Sequence, residues 1–109
     1  MKELMTLGHA RLCAEGSTLR ITGRVGFEGA ATMAEAGCDW LRSRSRGEAI
    51  VLDLEGVEEV SSAALSMMLE WQRALRHAGL VLSEVRLSSV LAQLTSLSGL
   101  EALVAPTPS

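Results

Sequence analysis

The chain has no tyrosine, one phenylalanine and two tryptophans among its 109 residues. Phe27, Trp40 and Trp71 are its whole aromatic complement, so the core has to be built from Leu, Val, Ile, Ala and Met. Cysteine is as scarce. Cys13 and Cys38 stand in neither a CxxC nor a Cys/His spacing, which argues against zinc. Buried reduced thiols, as in a cytosolic protein, are expected instead. His9 and His77 lie at opposite ends of the sequence, outside any metal-ligand spacing, and are expected to face solvent. No window approaches about 18 uninterrupted apolar residues, so no membrane span is expected. Lys2 and Glu3 lead into no continuous apolar stretch, so no secretory signal is expected either.

Catalytic motifs are missing too. There is no GxxxxGK(S/T) or GxGxxG phosphate loop and no GxSxG nucleophile elbow. Asp53 and Glu55 alternate along a strand and its end. They are read as pointing to opposite faces, which suits no paired-carboxylate mechanism. The expectation is a protein that is not an enzyme and holds no metal. A net charge of −3 argues against nucleic acid as main partner. The local run Arg42, Arg44, Arg46 reads as a solvated helix end, where cations complement the dipole; the other reading is a patch for acidic lipid headgroups.

What is present is an ordinary globular composition, 48% hydrophobic and 21% charged, at a length that fits one domain, residues 1–109. Ala10–Cys13 and Leu19–Thr22 read as short strands split by Glu15-Gly16-Ser17, a hairpin signal. A helix over about Glu28–Ser43 repeats Ala30, Ala34, Cys38 and Leu41 on one stripe. Ala49–Leu54 is a compact apolar run with β-branched residues, the best candidate for a central buried strand, and Gly56 is expected to end it. Ser61 and Ser62 stand where the N-cap of a second helix belongs; that helix runs to about His77, with Gly79 as its stop. Leu80–Val85 reads as a strand, Ser88 or Ser89 caps a third helix to Leu97, and Leu100–Val104 reads as a short last strand. Helices between apolar strands imply right-handed crossovers and a partly parallel sheet.

The second helix is apolar over roughly 240°, wider than the roughly 100° stripe that one core contact needs. Helical phasing from Leu65 puts Leu65, Met68, Leu69 and Leu75 toward the core. Ala63, Ala64, Met67, Trp71, Ala74 and Ala78 fall on an adjoining face, and Ser66, Glu70, Arg73 and His77 form the polar strip. Either another helix covers the extra face, or Met67 and Trp71 lie near the surface and anchor a partner, as Met and aromatic residues often do at interfaces.

The stretch Val51-Leu-Asp-Leu-Glu-Gly-Val-Glu-Glu-Val-Ser-Ser-Ala-Ala-Leu65 resembles the signature of the STAS family (sulfate transporter and anti-sigma factor antagonist). That signature is a buried strand ending D-L-x-x-V, then D-(S/T)-(S/G)-G-L opening a helix. Leu19-Arg-Ile-Thr-Gly-Arg-Val25 resembles the family's L-x-(L/V)-x-G-x-(L/V) strand, and Leu94–Leu100 its helix end in S-G-L. The similarity spans about residues 10–104. It implies an α/β fold, a mixed sheet of about four to five strands with about three helices. Two acidic positions of the family are replaced here: one falls on Gly26, and the Asp that opens the helix motif falls on Ser61, with its Gly on Ala64. Ser62 matches the hydroxyl residue that is phosphorylated in anti-sigma factor antagonists.

A branch without those acidic residues is the short STAS subunit of MlaB type, from the bacterial phospholipid-trafficking ABC transporter that maintains outer-membrane lipid asymmetry. Ser61-Ser-Ala-Ala-Leu-Ser-Met-Met-Leu69 is similar to its helix opening. The resemblance implies binding to the cytoplasmic ATPase subunit, and through it to the membrane permease. The place implied is cytoplasmic, peripheral at the inner membrane, with no cofactor. The contact residues expected are Ser61, Ser62, Ala63, Ser66, Met67, Glu70 and Trp71. The alternative is an anti-sigma factor antagonist switched by phosphorylation at Ser62.

Overall fold

The computed structural model describes residues 2–59, 62–97 and 99. Its element order is β1 (Lys2–Leu7), β2 (Ala10–Glu15), β3 (Thr18–Arg24), α1 (Phe27–Arg42), β4 (Ala49–Glu59), α2 (Ser62–His77), β5 (Val81–Leu87) and α3 (Ser89–Leu97). The strands form one five-stranded sheet in the order of the sequence. β1, β2 and β3 pair antiparallel through tight turns, whereas β3, β4 and β5 pair in parallel across α1 and α2. This is the mixed α/β sheet with three helices that the sequence implied.

Alternation along the strands separates two faces. Leu12, Leu19, Ile21, Ile50, Leu52, Leu54 and Leu82 point into the core, where they meet Met33 and Leu41 of α1, Met68 and Leu75 of α2, and Leu91 of α3. Aliphatic and methionine side chains do fill most of this core. Both α1 and α2 connect parallel strands, so they run parallel to each other and bring their N-termini to the same end of the molecule. Gly79 adopts φ +71° just past α2, the left-handed conformation that ends a helix at little cost for glycine. Ser88 caps α3 by accepting a hydrogen bond from the Leu91 N–H at 3.4 Å.

Several expectations need correction. β1 was not anticipated; its side chains are exposed or half-buried, so it carries little hydrophobic pattern and is held mainly by pairing with β2. β4 continues past Gly56 to Glu59. Gly56 lies opposite Thr22, and a Cβ there would come within 2.6 Å of Thr22 Cγ2; the glycine admits a neighbour and does not end the strand. Ser62 is the first residue of α2 and not its cap. Ser61 and the expected strand Leu100–Val104 lie outside the described residues. His9 and His77 are exposed, and Cys13 and Cys38 are free and buried, as expected.

Candidate functional site

The wide apolar arc of α2 is covered by α1. Ala63, Ala64, Met67, Met68, Trp71, Ala74 and Leu75 are all buried, whereas Leu65 and Leu69, two of the four residues phased toward the core, are only half-buried. Trp71 is 0% exposed and Met67 1%, which overturns their assignment to the surface. The reason is the seam. The Trp71 indole N–H donates to the Ala34 carbonyl at 3.1 Å, and its ring lies against Gly37, where any Cβ would collide with it. Glycine on α1 lets the helices close on the indole, and the Ala34 carbonyl satisfies a polar group that is costly to bury unpaired.

Above that contact the seam opens into a groove of about 330 Å³, lined by Phe27, Ala30, Ala31 and Ala34 of α1 and by Ser62, Ala63, Ser66, Met67 and Glu70 of α2. Five of the seven predicted contact residues therefore meet in one place. Ala63 and Met67 form the floor, and Ser62, Ser66 and Glu70 stand on the exposed rim. Trp71 lies beneath it as core, and Ser61 is outside the described residues. The Ser66 hydroxyl donates back to the Ser62 carbonyl at 3.2 Å, and Glu70 holds Arg73 at 2.9 Å. Among the described residues Glu70 is the only ionisable one lining the groove, so that lining is suited to shape and to hydroxyl hydrogen bonds.

Phe27 was missed. It is the first residue of α1 and 72% exposed, an aromatic that lines the groove together with Ala30, Ala31 and Ala34. The available signal was an apolar aromatic directly after Gly26, one residue before the expected helix start. Farther along, Glu35, Cys38 and Arg42 join Ala31, Ala34 and Glu70 around a second depression. The Cys38 thiol donates to the Glu70 carbonyl at 3.6 Å, and burial pushes its pKa up, which keeps it protonated and unreactive.

The opposite face of the sheet is polar. Glu3, Cys13, Arg20, Asp53 and Arg86 stand in register across all five strands. Arg20 bonds Asp53 at 3.0 Å and Glu15 at 3.3 Å, while Arg86 reaches Glu84 at 3.2 Å, Asp53 at 3.8 Å and Glu55 at 4.0 Å. The hydrogen bond to Asp53 holds the Arg20 proton more tightly than usual. Asp53 and Glu55 thus share one face and one arginine, contrary to the expectation that they point apart; residues two apart on a strand lie on the same side. Asp53 Oδ1 also accepts the Glu55 backbone N–H at 3.1 Å.

The expected solvated end at Arg42, Arg44 and Arg46 holds in part. Arg42 is exposed and pairs with Asp39 at 2.7 Å, but the Arg44 guanidinium stacks over Trp40, 4.9 Å from the ring centroid. Among the described residues no helix is long and apolar enough to cross a membrane.

No curated protein matches the chain. A family model described as "Mlab, STAS domain" matches residues 9–105. That span runs from the first hairpin through all three helices and holds the whole of the α1–α2 groove. Sheet order, the helix opening at Ser62 and this match agree: the chain belongs to the STAS-domain family and is most like its MlaB group.

Proposed function

We propose that the chain is the STAS subunit of a phospholipid-trafficking ABC transporter. In this reading it binds the cytoplasmic ATPase through the α1–α2 groove and sits peripherally at the inner membrane through that partner. STAS domains are generally non-catalytic binding modules, and the reading assigns this one a supporting or regulating part. The observation that carries it is the convergence of Phe27, Ala63, Ser66 and Met67 at one groove beside the start of α2. Small residues there permit close backbone approach, the serine hydroxyls offer hydrogen bonds at the rim, and an exposed phenylalanine gains from being covered.

The test is a pull-down of the co-encoded ATPase. Ser62→Arg places a long cation at the rim of the groove and should abolish recovery of the ATPase. The circular dichroism melt should be unchanged, because Ser62 is exposed. Equal recovery by wild type and variant would sink the site assignment. The exposed Ser62 hydroxyl also suits the alternative, an anti-sigma factor antagonist. Intact mass of the protein from its native host separates the two, since a substantial phosphorylated fraction at Ser62 favours the antagonist. The transporter reading expects the unmodified mass, because a dianion would be costly to desolvate against an apolar partner surface.

A further inference from the structure

The second surface lies at the opposite end of the helices, where both C-termini meet the α1–β4 loop. The loop and the α2–β5 turn are tied together: the Gly47 N–H donates to the Gly79 carbonyl and the Val81 N–H to the Glu48 carbonyl, both at 2.9 Å. Arg46 lies across Gly79, its Cγ, Cζ and Nε atoms 2.9–3.1 Å from where a Cβ would stand. Arg76 is exposed in the last turn of α2. Arg44 rests on Trp40, and its buried Nε has no acceptor. Its nearest carboxylate, on Glu48, is 3.8 Å away and already accepts the Ser17 hydroxyl at 2.8 Å.

Pairing makes these residues distinctive. Arg11, Arg20, Arg42, Arg73 and Arg86 each hold a carboxylate within 3.2 Å. Among the described residues Arg46 and Arg76 have no ion pair, and Arg44 has only the long one. Three under-paired guanidiniums therefore gather at one pole of a chain whose net charge is −3. Complementing the helix dipoles explains a preference for cations there, but it asks for neither the Trp40 stack nor the Gly79 platform that fix two of the forks.

We propose that this pole receives a carboxylate-rich segment of a protein partner. Guanidinium forks held by stacking and packing suit bidentate carboxylates at defined positions. An anionic bilayer fits less well, because polybasic membrane patches run to about four to eight Lys or Arg, whereas this pole gathers three guanidiniums, two of them packed against Trp40 and Gly79. The surface is separate from the groove and does not depend on the ATPase assignment.

The experiment is an NMR titration of the isotope-labelled full chain with a hexaglutamate peptide, beside sedimentation with phosphatidylglycerol vesicles. Shifts are expected in residues 43–48 and 76–80, weakening with salt as exposed ion pairs do. The triple variant Arg44→Gln, Arg46→Gln, Arg76→Gln should bind the peptide about tenfold more weakly or worse. Replacing the same three by Lys keeps the charge, loses the fork, and should fall between. If the triple variant does not fold, Arg76→Gln alone, at an exposed position, must still weaken binding. No peptide binding, equal binding by the Gln variants, or capture by vesicles without the peptide would each overturn the proposal.

Discussion

The α1–α2 seam and the open face of the sheet both bury polar atoms, and they finish in opposite conditions. On the open face Arg20, Asp53 and Arg86 satisfy one another and draw in Glu15, Glu55 and Glu84. A further contact there would have to displace a pair that already exists. Along the seam the interior is just as complete, since the Trp71 N–H has its carbonyl, but the rim is not: Phe27 stands 72% exposed beside alanines. Covering a phenylalanine releases about 1.5–3 kcal/mol. A surface that folding has left unfinished is the one with free energy to give a partner.

That contrast can be broken from either side. The largest effect is expected at the base of the seam: Trp71→Ala should destabilise the fold by about 3–5 kcal/mol, read from urea denaturation. A loss below about 1 kcal/mol would mean that the indole is not core. On the open face Asp53→Ala strands two arginines, but both keep solvent and other carboxylates. The expected cost is about 1–2 kcal/mol, reduced by that exposure. A loss as large as that of Trp71→Ala would make the ion-pair row a second core. The Cys38 thiol supplies a smaller, pH-dependent effect. Its pKa is raised in the fold above the ordinary 9.0, so its contribution is complete below that pH and is lost as pH climbs from 9.0 through the folded value. Cys38→Ala should flatten the alkaline limb of a stability–pH curve; an unchanged limb would remove the burial argument. The smallest change in stability is expected for Phe27→Ala, within about 0.5 kcal/mol, with ATPase recovery reduced in the same pull-down.

Much of the architecture could be read before any coordinates, because it rests on local signals. Ala49–Leu54 announced a buried central strand, Gly79 a helix stop, and Ala30, Ala34, Cys38 and Leu41 a buried stripe, and each is where periodicity put it. The groove was legible only in part. Met67 came from the breadth of the apolar arc and Ser62, Ala63, Ser66 and Glu70 from the helix opening and its resemblance, whereas Phe27 lies on the other helix, and nothing local says that two helix N-termini meet. Trp71 was misplaced for the same reason. Whether a broad apolar arc faces a partner or a neighbouring helix depends on Gly37, 34 positions earlier in the chain. β1 escaped because pairing, more than hydrophobicity, makes it a strand.

The row Glu3, Cys13, Arg20, Asp53, Arg86 also decides how the chain can fold. In the parallel half of the sheet, where no hairpin turn sets the alignment of β3, β4 and β5, apolar side chains alone would tolerate more than one offset. Sliding β4 by one position would turn Asp53 inward among leucines and send Leu52 into water. Sliding it by two in one direction would keep the faces but set Val51 opposite Arg20 and Arg86, whereas the other direction would set Glu55, on the same face, in Asp53's place. The ion pairs therefore act as a one-sided alignment key, rejecting the offset that brings Val51 between the two arginines.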